Sequence, residues 1–410
     1  MENLVVIADT YPPKKDGVLT YLRSVLPLLK DKYNITLIAP KFADDAEPLI
    51  DGIDVVLTPC IPIDVANYYP AIPTMRLARH IRKADIVFVH DLAPLGSAGL
   101  SLAYLLRKPV GLFCHHDESI MLSRAFRLET KRLVPRIKIE KFIDSVVLQH
   151  YKRSSVIFVA THRFYEKLRR LRIPEDKIIY APFAVDTARF TPNRNHVLRE
   201  KLGIPKDAKV ILNLGRMSHE KNVETVIKSI PEVMKKIENA YYVFAGGGPR
   251  LDYYRELAAK LSPPGRIIFT DWVEWEETPK YYAMADVFVF PSLHETQAFV
   301  IMEAMASSLP VIVPAEPESS FSYYEGGENC LFLEDNKDPH ELARKIIKVL
   351  TDEEMRIRLG EKARQKMESY SWEEHIMKLL EGFERAKFNR RPSYRRHISR
   401  LRGIAHIRGF

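Results

Sequence analysis

Twelve short apolar runs recur along the 410 residues, and each is continuous rather than alternating. Leu4–Ala8, Ile35–Ala39, Val55–Leu57, Ile86–His90, Val110–Cys114, Val156–Ala160 and Ile178–Ala181 fall in the first half. Val210–Leu214, Tyr241–Ala245, Ile267–Phe269, Val287–Phe290 and Val311–Val313 fall in the second. A strand with one wet face alternates apolar and polar side chains, whereas a strand covered on both faces need not. The runs therefore predict parallel sheets layered between helices. The stretches between them keep helical spacing, as in Val18, Leu22, Val25, Leu26 and Leu29, with a kink expected at Pro27. Asp186–Asn195, which carries Pro192, reads as a linker. The expected architecture is α/β: two doubly wound Rossmann-like domains, 1–185 and 186–384, facing a cleft. Glu341–Arg385 reads as two or three closing helices, the last running from Trp372 and packing back on the first domain. Residues 385–410 read as a basic tail.

No run approaches the ~18 consecutive apolar residues of a membrane span. The N-terminus has no charged region followed by a long apolar one, so no secretory signal is read there. Cys60, Cys114 and Cys330 are far apart, without metal-ligand spacing, and read as free thiols of a reducing compartment. A cytoplasmic globular protein is expected.

Charge is unevenly placed. Of the net +9, residues 1–185 contribute +7, residues 186–384 contribute −7, and 385–410 contribute +9. Within the first half, Leu122–Arg172 holds fourteen basic and four acidic side chains. A basic half beside an acidic one suggests that the first domain meets an anionic partner, either a membrane surface or a nucleic acid. A merely solubilising surface with a floppy basic end accounts for the same counts. Ile139, Phe142, Ile143, Val146 and Val147 are expected on one helical face beside Lys138 and Lys141, preceded by Leu122, Phe126, Leu128 and Leu133 among Arg124, Arg127, Lys131 and Arg132. Such interleaving suits an interfacial helix, although packing on the domain core explains the apolar face equally well.

The chemistry-bearing residues cluster in the second half. Val210–Leu214 is followed by Gly215-Arg216-Met217-Ser218-His219-Glu220-Lys221-Asn222, which places two cations between a strand's carboxyl end and a helix. An open α/β sheet binds ligands there, and a guanidinium fork with an ammonium suits a diphosphate. Gly246-Gly247-Gly248-Pro249 ends the next strand, where glycine either admits a ligand to the backbone or makes a tight turn. Glu295, in the loop after Val287–Phe290, and Glu303, on the following helix, are placed to reach one ligand over the helix N-terminus. In the first half, Asp16-Gly17 and His115-His116 follow strands. His115 would be either a proton-handling group or a core-satisfying histidine.

In this order the motifs resemble glycosyltransferase family 4, the retaining GT-B enzymes that use nucleotide sugars. The resemblance covers residues 1 to about 385 and rests on Leu214–Asn222, Phe244–Pro249, Ser292–Ala306 with its two glutamates, and Pro182–Phe190. It implies that Arg216 and Lys221 hold the donor diphosphate, Glu303 the ribose hydroxyls and Glu295 the donor sugar. The amides of Thr296, Gln297, Ala298 and Phe299 would lie near sugar and phosphate. Gly17 and Gly247 would admit the donor closely, and His115 would stand near the reaction centre. The chain departs from the family pattern at Asp16, Ala184, Ala298 and Ala315–Ser320. No Asp-x-Asp occurs, which fits a metal-independent enzyme without a cofactor. The resemblance implies retaining transfer of a hexose from a UDP- or GDP-linked sugar to a hydroxyl acceptor. Glu295-Thr296-Gln297 resembles lipid-modifying members, which favours a membrane lipid or lipid-linked glycan as acceptor and a peripheral place on the inner membrane face. A soluble acceptor, a nucleotide-sugar epimerase and nucleic-acid binding through the tail are the alternatives.

Overall fold

The structure is a computed structural model that describes residues 1–43, 48–61, 70–115, 117–119, 136–193, 196–261, 263, 265–293, 295, 299–315 and 324–390. The chain forms two compact units: Met1–Pro182 together with the chain from Glu373 onward, and Phe183–Trp372.

The first unit holds β1 (Glu2–Ala8), β2 (Tyr33–Pro40), β3 (Asp54–Thr58), β4 (Ile86–His90), β5 (Val110–Cys114), β6 (Val156–Val159) and β7 (Ile178–Tyr180). They make one sheet in the order β3-β2-β1-β4-β5-β6-β7. Every pairing is parallel, as the continuous apolar runs require. Val6 lies level with Leu37 on one side and Phe88 on the other, and all three are fully buried. Helix Gly17–Leu29 starts at Asp16, whose carboxylate accepts from the Leu19 amide at 2.9 Å, and buries Val18, Leu22, Val25, Leu26 and Leu29. The chain returns to this sheet at its end. In helix Trp372–Arg390, a Cβ at Gly382 would come within 2.3 Å of the Phe158 ring, so glycine permits the close approach. Phe383 then packs edge-on to Phe88, Phe158 and Tyr33.

The second unit holds β8 (Lys209–Leu214), β9 (Ala240–Ala245), β10 (Ile267–Phe269), β11 (Val287–Val289), β12 (Val311–Pro314) and β13 (Leu331–Leu333). Its parallel sheet runs β10-β9-β8-β11-β12-β13. β13 is absent from the apolar runs because it is three residues long and only its last side chain is buried. At the amino ends of β8 and β11, Arg199 and Asp286 form a buried ion pair of 2.9 Å. In each unit the strand order reverses once, between β1 and β4 and between β8 and β11. The loops leaving the carboxyl ends at such a reversal splay apart and leave a crevice. Among the described residues, no helix is long and apolar enough to cross a membrane.

Candidate functional site

At the reversal of the second unit, the loops after β8 and β9 are locked backbone to backbone. Gly246 has a φ of +134°, and a Cβ there would sit 2.0 Å from the Gly215 carbonyl oxygen. The Met217 amide donates to the Gly247 carbonyl at 2.9 Å. The space beside Gly247 is taken by Trp272, whose Nε1 would lie 2.4 Å from a Cβ at that position. The glycine run therefore joins two loops and seats an indole.

Beyond Met217 the chain makes a single 3-10 turn, His219–Lys221, before helix Val223–Lys236. Asn222 ends that turn with a φ of +53°, a conformation asparagine tolerates better than most residues. Its side-chain amide donates to the carbonyls of Pro291 at 3.0 Å and Asn336 at 2.6 Å, while its oxygen accepts from Thr225 at 2.9 Å. The Glu220 carbonyl accepts from the Leu293 amide at 2.8 Å and the Ser292 hydroxyl at 2.9 Å. The loops after β8 and β11 are thus stapled together. That staple brings Lys221 Nζ within 2.7 Å of Glu295 Oε1 and 5.4 Å of the Phe290 ring centre. Arg216, in the same loop, is half-buried, and its charge reaches Glu220. Burial pushes the Glu220 carboxyl up, but the Ser218 hydroxyl, a backbone amide and the charges of Lys221 and Arg216 together hold it below its ordinary range.

Glu303 lies on helix Phe299–Ala306 and is 6% exposed. Its Oε2 accepts from the Tyr282 hydroxyl at 2.7 Å. Burial pushes its pKa up to about 7, against the opposing effects of that hydrogen bond and of the Arg189 charge. Arg189 is fixed over the Trp275 ring at 3.2 Å and donates to the Trp275 carbonyl. Phe299 is a core residue, with its ring 5.0 Å from that of Phe183. Thr296, Gln297 and Ala298 lie outside the described residues. Asn222, Asn336, Tyr282 and Arg189 were not singled out from sequence. Only Asn222 had a local signal, as a capping residue type directly before an apolar helix.

In the first unit, Gly17 is the first residue of its helix, and Asp16 Oδ2 accepts from Thr10 at 2.7 Å. His115 is buried with its Nε2 2.8 Å from His90 Nδ1, within a layer that includes Tyr21 and Phe113. Burial, and secondarily His375, lowers the His90 pKa to about 3, so that ring is neutral. His375 Nδ1 lies 2.7 Å from the Pro182 carbonyl and must donate to it. Burial lowers the His375 pKa to about 4 despite that bond, so its Nε2 accepts from Tyr21 at 2.8 Å.

The basic window divides. Arg124, Arg127, Lys131 and Arg132 lie outside the described residues, and Lys138 falls in the first turn of helix Arg136–Arg153. The apolar residues of that helix do not share one face. Ile143, Val147 and Tyr151, spaced by four, are buried, whereas Phe142 is 69% exposed and stands with Val146 beside exposed Lys141. Residues 142 and 146 are turned about 100° from the buried stripe, so they are left in solvent. Helix Met75–Lys83 adds a second basic element, outside the Leu122–Arg172 window. It carries Arg76, Arg79, His80, Arg82 and Lys83 with no acid, and Met75 is 85% exposed. Both helices pack against helix Pro94–Leu105. Among the described residues, no group of three or more His, Cys, Asp or Glu is placed to hold a metal ion.

Comparison with known proteins agrees with this geometry. The family model "Glycosyltransferase Family 4" matches residues 15–189, and "Glycosyl transferases group 1" matches residues 195–366. The chain is 26% identical over 362 residues to the alpha-monoglucosyldiacylglycerol synthase of Acholeplasma laidlawii, covering 85% of this chain and 88% of that one. It is 26% identical over 325 residues to a GDP-mannose-dependent alpha-(1-6)-phosphatidylinositol monomannoside mannosyltransferase of Mycolicibacterium smegmatis, covering 75% and 79%. The crystal structure of Anabaena HepE in complex with UDP and glucose superposes with a TM-score of 0.72 at 15% identity, covering 94% of this chain and 100% of that one. With both halves matched in this order, the chain belongs to glycosyltransferase family 4 and is a glycosyltransferase of the GT-B fold.

Proposed function

We propose that the chain transfers a hexose, with retention, from a UDP- or GDP-linked sugar to a hydroxyl of a membrane lipid or lipid-linked glycan. The observation that carries the donor half is the stapled loop pair that brings Lys221, in the same loop as Arg216, to Glu295 where the strand order of the second unit reverses. In this reading the bond from the sugar's anomeric carbon to the diphosphate oxygen breaks, and one to the acceptor oxygen forms. The acceptor proton passes to the departing phosphate. Arg216 and Lys221 stabilise the negative charge left on the nucleotide, Glu303 holds ribose hydroxyls and Glu295 the sugar. Gly17 and His115 would act from the first unit. Neither a metal nor another cofactor has a step in this scheme.

The acceptor half is supported by the two lipid-glycosylating relatives and by exposed Met75, Phe142 and Val146, which stand on two helices carrying basic side chains. Cations near an anionic leaflet contribute about 1 kcal/mol each, and exposed apolar side chains add contact with the acyl boundary. The proposal places the protein peripherally on the inner membrane face. The test is transfer from radiolabelled UDP- and GDP-sugars to a total lipid extract, with and without EDTA. Organic-phase counts that survive EDTA are expected. Donor consumption with an empty organic phase would overturn the lipid acceptor, and loss of turnover in EDTA would overturn the metal-free scheme.

A further inference from the structure

Resting on the donor-site reading above, we infer that Tyr282 is a positioning residue of the nucleotide site: its hydroxyl fixes one oxygen of Glu303 and keeps that carboxyl in the form that accepts from ribose. The geometry is specific. Tyr282 comes from helix Thr278–Met284 and is itself fully buried, with its ring edge-on to Phe190 at 5.7 Å and tilted against Phe288 at 5.8 Å. It has little freedom to turn away. Its hydrogen bond occupies Glu303 Oε2, and among the described residues Oε1 makes none, which leaves that oxygen to a ligand.

Two ribose hydroxyls are hydrogen-bond donors, and a carboxylate accepts from them more strongly than a carboxylic acid, which carries a proton on one oxygen. Burial alone works against this, because it favours the neutral form. Two groups oppose it: Tyr282 by a hydrogen bond to the charged form, and Arg189, from the segment before Phe190, by its charge. These are the titratable and charged groups that face Glu303 among the described residues. With its pKa at about 7, the carboxyl is divided between its two forms near neutrality. Ribose recognition should therefore strengthen as the pH rises through that value. A hydrogen bond to a charged group moves a pKa by about one to two units. Removing the Tyr282 hydroxyl should push the Glu303 pKa further up and carry the midpoint of ribose recognition with it.

The experiment measures dissociation constants of the full chain for UDP and GDP and for their 2′-deoxy forms from pH 5.5 to 9. The ratio of deoxy to ribo cancels the titration of the diphosphate itself. In the wild type the ribose preference should rise with a midpoint near 7. In Tyr282→Phe the midpoint should move up by about one to two pH units, with the preference at pH 7 falling about five-fold for one unit and about fifty-fold for two, and recovering as the pH rises through the new midpoint. Should Tyr282→Phe not fold, 3-fluorotyrosine at position 282 keeps the ring in place with a more acidic hydroxyl, and the midpoint should move down instead. A midpoint that neither replacement moves overturns the inference. Glu303→Gln separates this failure from the larger one. If it abolishes the pH-dependent preference while the Tyr282 replacements do nothing, only the role of Tyr282 falls. If it leaves the preference intact, Glu303 does not hold the ribose and the donor-site reading falls too.

Discussion

Lys221→Ala should lower transfer by about 10²–10³-fold, whereas Glu295→Gln should bind UDP or GDP more tightly than the wild type although it transfers more slowly. The opposite signs follow from one contact. In the free protein Lys221 and Glu295 neutralise each other at 2.7 Å, with the carboxylate almost entirely covered. A diphosphate must displace that carboxylate before it can use the ammonium. Close charge pairs of this kind couple by about 1.5–7 kcal/mol. Recovering even the low end gives roughly tenfold tighter nucleotide binding when Glu295 is made neutral. Lys221→Ala forfeits both the attraction for the diphosphate and the stabilisation of charge on the departing nucleotide, a loss typical of a preorganised electrostatic group. Calorimetric titration with UDP and GDP reads the first effect, and turnover in the lipid-extract assay reads the second. Glu295→Gln binding both nucleotides no better than the wild type would remove the competition, and Lys221→Ala with near-normal turnover would remove the donor assignment.

Such paired behaviour could not be read from the order of residues. Lys221 and Glu295 are far apart in sequence, and their separate expected tasks, the diphosphate and the sugar, do not imply that they touch. What the order of residues did predict were the features with short range or repeating pattern. Strands β1 to β12 each overlap one of the apolar runs, although β6, β7 and β11 each stop one residue short of theirs, and the reversal of strand order puts both cation-bearing and glutamate-bearing loops at the carboxyl ends of adjacent strands. Even there the boundaries slipped, because β1 begins at exposed Glu2 and Asn3, which pair with Tyr33 and Asn34 on hydrogen bonding alone.

The misses share a cause. β13 is too short to register as a pattern, although it extends the sheet beyond β12. The helical face drawn through Phe142, Ile143, Val146 and Val147 merged two stripes that 3.6-residue periodicity separates. Core packing then took one stripe and left the other in solvent. Tyr282 and Asn336 reach their partners from remote segments, and nothing about a tyrosine or an asparagine in isolation marks it as a holder of a glutamate or of a loop. The glycine run suits either ligand access or a tight turn, and at Gly246 the structure adds a third use, close packing of the backbone against Gly215.

The largest loss of stability should come from a residue that no motif includes. Arg199, on the short helix His196–Lys201, is 2% exposed and spends its guanidinium on four acceptors. It donates to the carbonyls of Met284, Lys206 and Ala208 at 2.8, 3.1 and 3.0 Å and to Asp286 at 2.9 Å. Asp286 in turn accepts from the Val210 amide at 2.9 Å, so the pair fastens the start of β8 to the segment before β11. The exposed pair Arg255–Asp252, by contrast, is worth under about 1 kcal/mol. Removing one member of a buried pair costs about 3–5 kcal/mol, because the other charge is left without compensation. Arg199→Met should therefore destabilise the second unit by that amount, or lower its midpoint by roughly 10 °C. The three tryptophans, Trp272, Trp275 and Trp372, all lie in that unit, so intrinsic fluorescence during urea unfolding reports it selectively. Adding Asp286→Asn keeps an acceptor for the Val210 amide while removing the stranded charge, and it should return a substantial part of the loss. A single variant within about 1 kcal/mol of the wild type would mean that water reaches Asp286, and a double variant no better than the single would place the cost in the three abandoned carbonyls rather than in the charge.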